Sequence, residues 1–316
     1  MIDILAKYSK SINLQKFRII NFPSLIFFCG GITSSRTKKY HSLRHYMLHY
    51  FKRNNDDIYK KIILAEQVND WYRFNHYNNL LSFEKDLAGL ASLIVLFVES
   101  PGSIAELGAF SQIEEISERL IVFINTSFYE VDASFIKDGP LAYLEQKSED
   151  IVYAYAWNVK KSKGKEYIVT NKLKTVAKQI SKEINDRLKA RPDEPIFDKS
   201  NIGHIMLFIC DFIQIINIAK KSDISGLLEN LDLINVKKNL DKYFFILEKI
   251  KLIKSFKYGK DDYYVSNIEK PLIRYAYTDS SEIKERLSWK LFLREWINNN
   301  DERRKQALEH SRKVAR

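Results

Sequence analysis

Leu93-Ile94-Val95-Leu96-Phe97-Val98 is an unbroken apolar run. Lack of alternation predicts a strand buried on both faces, as in a parallel sheet. Ser24–Cys29, Lys61–Glu66, Leu120–Ile124 and Ile151–Ala156 predict four more strands. Between them the apolar period changes to about 3.6, predicting helices over 36–52, 83–92 and 171–189. The last carries Leu173, Val176, Ile180, Ile184 and Leu188 on one stripe. Alternating strand and helix predicts an α/β domain over 1–190, a doubly wound parallel sheet of order 2-1-3-4-5. Residues 1–22 have helical spacing and dock on the domain or on a partner.

Arg191-Pro192-Asp193-Glu194-Pro195 opens a linker, 191–199. Helices then follow over 202–218, from Lys221, and over 235–251, with alternating segments about Gly259-Lys260-Asp261 reading as a hairpin. Helix, helix, helix, hairpin predicts a winged helix-turn-helix over 200–275. Its third helix offers Lys237, Lys238 and Lys242, and its wing Lys257 and Lys260, to nucleic-acid phosphates; such contacts carry no sequence information. The same arrangement also serves as a protein–protein module. The tail, 276–316, reads as a long helix with Leu287, Leu291, Trp289, Phe292 and Trp296 to cover, on its own domain or on a partner. Its Arg303-Arg304-Lys305 can follow a phosphate backbone.

The central strand runs into Pro101-Gly102 and a helix bearing Glu106. Strand ends and helix N-termini of a parallel sheet form its binding crevice. One reading makes Ser103-x-x-Glu106 a capping box. The other makes Glu106 a carboxylate, held ionised by the helix terminus, that attacks or stabilises a sugar carbon. Gly30-Gly31 after the first strand lets a ligand approach the backbone, and Ser100, Gly102 and Ser103 offer a second cradle. Glu66 can take a ribose hydroxyl and Trp71 can stack on a base, against the plainer readings of a loop acid and a core ring. His41, His45 and His49 recur every four residues, but the outer two lie roughly 12 Å apart on a helix and nothing completes a metal site. No metal is expected.

Glu99-Ser100-Pro101-Gly102-Ser103-Ile104-Ala105-Glu106-Leu107-Gly108 resembles the signature of the nucleoside 2-deoxyribosyltransferase-like family, which implies a flavodoxin-like fold and a glutamate working at the anomeric carbon. The resemblance gives Asp86 a substrate-orienting role and weight to Gly30 and Gly31. It departs at Ser100, where those transferases often hold a second acid. With its C-terminal half, the whole chain resembles the ribosyltransferase/DNA-binding effectors encoded beside certain bacterial retrons. That implies a toxic antiviral enzyme that cleaves the N-glycosidic bond of a nucleotide, NAD favoured. It would need no cofactor, and a complex with reverse transcriptase and its branched RNA–DNA would restrain it. Alternatives are a nucleotide-sensing DNA-binding adaptor without turnover and a base-salvage deoxyribosyltransferase.

Charge and composition add little. The 316 residues are 45% hydrophobic, enough for packed cores, and carry net charge +11. The excess is shared: 23 Lys and Arg against 17 Asp and Glu over 196–316, 28 against 23 before it. Nucleic acid is therefore an expected partner without assignment to one half. No apolar run is long enough for a membrane span, no secretory leader is seen at the start, and two cysteines far apart give no framework, so a cytoplasmic protein is expected, as a monomer or homo-oligomer.

Overall fold

The computed structural model describes residues 1–34, 39–68, 77–162, 164–190 and 194–314. Trp71 and Lys163 lie outside the described residues. The chain forms two compact units: 23–69 with 80–191, and 1–22 with 70–79 and 192–316. Helix α1 (Ile2–Ser11) thus belongs with the C-terminal half.

The α/β unit is built on a five-stranded parallel sheet. Its strands are β1 (Ile26–Cys29), β2 (Ile62–Ile63), β3 (Leu93–Val98), β4 (Leu120–Asn125) and β5 (Val152–Tyr155), in the order β2-β1-β3-β4-β5. Every residue of β3 and all but the last of β4 are apolar, and both strands are buried throughout, as unalternated runs require. Helices α2 (Leu43–Asn54), α3 (Leu80–Gly89), α4 (Pro101–Ser111) and α5 (Leu173–Lys189) accompany the sheet. The stripe on α5 is in place: Leu173, Ala177, Ile180 and Ile184 are buried. Helix α2 starts seven residues later than its apolar period suggests, because Ser42 caps it by accepting from the His45 amide at 2.9 Å. The chain direction reverses between β1 and β3, where the strand order switches sides, and their C-terminal ends define the crevice.

In the other unit α1 seats Tyr8, fully buried, against Phe212 and edge-on to Trp289, each at 5.0 Å. Helix α6 (Ile202–Ile216) is buried along almost its whole length. Beyond α7 (Lys221–Asn230), the expected single helix over 235–251 is two: α8 (Ile234–Lys238) and α9 (Leu240–Lys249). Asn239 breaks it, with φ −106° and ψ 10°, returning its amide to Val236. The hairpin Ile253–Tyr258 and Asp261–Ser266 turns at Gly259, whose φ is +63°. Ala219 bridges Tyr264 from before α7, adding a third short segment to the hairpin. The tail is also two helices, α10 (Arg286–Asn300) and α11 (Glu302–Val314), parted at Asp301. Trp289, Leu293 and Ile297 are buried inside this unit, while Leu287 and Leu291 remain exposed. Among the described residues no helix is long and apolar enough to cross a membrane.

Candidate active site

Residues leaving β1 and β3 meet the first turn of α2. The Glu99 carboxylate, at the end of β3, accepts from the Leu43 amide at 2.7 Å and the Arg44 amide at 3.0 Å, so a helix N-terminus is locked onto a strand end. Burial raises Glu99 to about 7, against those backbone donors and the charge of Arg44. Gly30 has φ +130°, and a Cβ there would meet the Phe97 carbonyl at 2.6 Å; one on Gly31 would meet Ser42 and Glu99 within 3.0 Å. Both glycines are therefore needed to bring the first loop against β3, whatever ligand follows. Gly30→Ala should cost ~2 kcal/mol of unfolding free energy, a strained φ plus a backbone clash, measured by urea titration. A cost within error would show that the loop relaxes freely.

Arg44 is 3% exposed. Its guanidinium pairs bidentately with Glu66, at 2.6 and 2.7 Å, and donates to the carbonyls of Gly30 and Gly31 at 3.3 and 3.2 Å. Glu66 itself is exposed. Glu66 thus arrives at the β1 loop as the partner of a buried cation, on a short 3-10 turn after β2.

The capping box is not the one the sequence suggested. Ser100, the N-cap of α4, accepts from the Ser103 amide at 3.2 Å, and Ser103 Oγ accepts from the Ser100 and Glu99 amides at 2.9 Å each. Glu106 is left out of it, one turn inside the helix. Its Oε2 is sealed from solvent and has no hydrogen-bond partner among the described residues. Burial first, then the charge of Glu84, raises Glu106 to about 8; Arg44 pulls it down and Glu66 adds to the rise. In the empty site the carboxyl is thus mostly protonated at pH 7, where the helix terminus alone implied an ionised one. Gly102 and Gly108 face open space apart from a contact of Gly102 with Ser100 Oγ.

Glu84, on α3, is 6% exposed and raised to about 7, by burial and then by Glu66, with Arg44 opposing. Asp86 is half-buried two residues further along α3. The chain therefore brings together Glu106, Glu84, Glu66 and Arg44, with the buried Cys29 thiol among them, raised by burial and then by the charge of Glu106. Three carboxyls around one cation cannot all ionise in an apolar site, so the cluster holds protons and favours any ligand that brings positive charge. Glu84, Arg44 and Glu99 escaped the sequence reading. Glu84 left a signal: it shares a helix face with Leu87 and Ala88, both buried, where an acid is out of place.

The nucleic-acid candidates are dispersed. Lys238, Lys257 and Lys260 are exposed. Lys237 is paired with Glu229 at 2.7 Å, and Lys242 lies over the Tyr77 ring at 5.5 Å. The break at Asn239 puts Lys237 and Lys238 on a different helix from Lys242. Arg304 does not reach outward: it is buried against Asp223 at 2.8 Å.

Known proteins carry the same pattern. The "Retron Ec73 putative ribosyltransferase/DNA-binding protein" of Escherichia coli is 29% identical over 193 residues, 56% of this chain and 57% of the relative. The "Retron Ec86 putative ribosyltransferase/DNA-binding protein" of the same organism is 34% identical over 131 residues, 41% of this chain and 40% of the relative. The chain spans about half the length of the curated relatives it matches. A model of the STM3845 retron effector protein family matches residues 40–255, well over half of the sequence. With the crevice at the end of β3 inside the matched segment, the chain belongs to the STM3845 retron effector family.

Proposed function

We propose that the α/β unit is a flavodoxin-like, nucleoside deoxyribosyltransferase-like N-glycosidase that hydrolyses the bond between ribose and base in a nucleotide, NAD being the favoured substrate. The observation that carries this is Glu106: a buried carboxyl without a partner, at the strand end of a parallel sheet, among groups that reward incoming positive charge. A sugar carbon losing its base becomes oxocarbenium-like, and a nicotinamide ring is cationic before it leaves. Either charge lowers the Glu106 carboxyl, which gives up its proton and stabilises or attacks the anomeric carbon. The base departs with the bonding electrons, as neutral nicotinamide in the case of NAD, and water supplies the new hydroxyl. Asp86 orients base or sugar, Glu66 lies in reach of ribose hydroxyls, and the Gly30-Gly31 and Ser100–Ser103 backbones cradle the ligand. No cofactor is needed.

The second unit reads as a winged helix-turn-helix, supported by the order of α6, α7, α8 with α9, and the hairpin. Family membership supports a toxic effector restrained by reverse transcriptase and its branched RNA–DNA through this unit. Lys238, Lys257 and Lys260 are the exposed cations for phosphate. Reversing all three to Glu should weaken duplex binding at least tenfold and flatten its salt dependence by about one unit of log–log slope per lost contact. Unchanged affinity and slope in filter binding would dismiss this surface.

Product analysis tests the catalytic proposal. Purified chain incubated with NAD or a nucleoside monophosphate should release free base and sugar. Formation of a new nucleoside when a second base is added would instead mark a transferase of base salvage. Tight binding without turnover would mark a nucleotide sensor.

A further inference from the structure

The side of α2 carrying His45, His49 and Lys52 borders a second cavity, about 460 Å³, which the chemistry above does not use. Ile62, Leu64 and the Tyr59 ring contribute apolar wall. Lys52 and Lys60, both exposed, contribute positive charge; Lys52 sits 5.8 Å from the Tyr59 ring centre, and Lys60 is paired with Asp56. The buried polar group is His45, 2% exposed. Its Nδ1 accepts the His41 backbone N–H at 3.2 Å. Burial, with His49 and His41 adding and the Ser34 backbone opposing, lowers the ring to about 4. The ring is therefore neutral at pH 7, and with Nδ1 accepting, its proton sits on Nε2. That N–H makes no hydrogen bond among the described residues. A buried donor without an acceptor is costly, and native structures rarely leave one unused.

We propose that this cavity holds the phosphate-bearing part of a nucleotide, its phosphate oxygens accepting from His45 and Lys52 and its base lying against Ile62, Leu64 and Tyr59. The volume falls in the range of small-molecule sites. Two pairs of consecutive residues join it to the acid cluster: Arg44 with His45, and Glu66 with Gln67, which also lines the cavity. The nucleotide comes from one of two sources. It is the distal half of a dinucleotide whose other ribose lies at Glu106, which rests on the function proposed above, or it is a free nucleoside monophosphate.

AMP is the probe. Calorimetric titration of the full chain should show AMP binding, weakened tenfold or more by Lys52→Glu, an exposed position that leaves the core untouched. Competition between AMP and NAD in the cleavage assay assigns the distal half of the substrate; AMP bound with no effect on the KM for NAD assigns a free nucleotide. No AMP binding at millimolar concentration, or equal binding by wild type and Lys52→Glu, overturns the proposal. If the chain cleaves no nucleotide, the proposed function fails, yet the titration still decides this site.

Discussion

Glu106→Gln should abolish base release, lowering kcat by at least ~10³-fold, while making the protein more stable. The catalytic loss follows from removing the one group able to carry negative charge beside the anomeric carbon. The gain in stability follows from the raised carboxyl. Glutamine mimics the protonated acid, so the two proteins should match below about pH 4.5. Between about pH 4.5 and 8 the wild type ionises more readily unfolded than folded, and loses stability relative to the variant as pH rises. Above about 8 the difference levels off, at ~2 kcal/mol after allowance for partial solvation. Urea unfolding at pH 5 and pH 8.5 reads this window. A capping role predicts the reverse sign, a loss of ~1 kcal/mol at neutral pH. In the same way, kcat/KM of the wild type should rise with pH towards a plateau above about 8, since it reports the free enzyme.

Arg304→Met should destabilise the C-terminal unit by ~3–5 kcal/mol, the usual cost of removing one partner from a buried ion pair. Arg304 and Asp223 are both buried, 2.8 Å apart, and Arg304 also holds Asp301 at 3.1 Å at the joint between α10 and α11. Without it Asp223 keeps only the Lys220 amide, at 2.7 Å. A fall of many degrees in Tm is expected, and Asp223→Asn in the same background should recover part of it by removing the stranded charge. A Tm shift under 2 °C would mean that water reaches Asp223 freely.

The sheet was legible because buried parallel strands must be apolar throughout, and β3 and β4 announce themselves. Helix starts were less so: α2 begins at Ser42 because a hydroxyl caps it there, whereas the apolar period runs on upstream. The break at Asn239 left no proline or glycine to mark it. At the site, the strand-turn-helix carrying Glu106 could be read, but its protonation could not. That depends on Glu84 and Arg44, which arrive from α3 and α2, and no local spacing reports a contact across a sheet. Arg304 misled for a related reason. A cation within a basic run looks solvated until the buried acid facing it, 81 positions away, is known.

The most direct test is mass-spectrometric detection of the base released from NAD by the purified chain at pH 8, with Glu106→Gln alongside. Free nicotinamide from the wild type and none above background from the variant is the predicted result. Equal release by both proteins, or intact NAD in the presence of folded wild type, would contradict the assignment of Glu106 to the sugar–base bond.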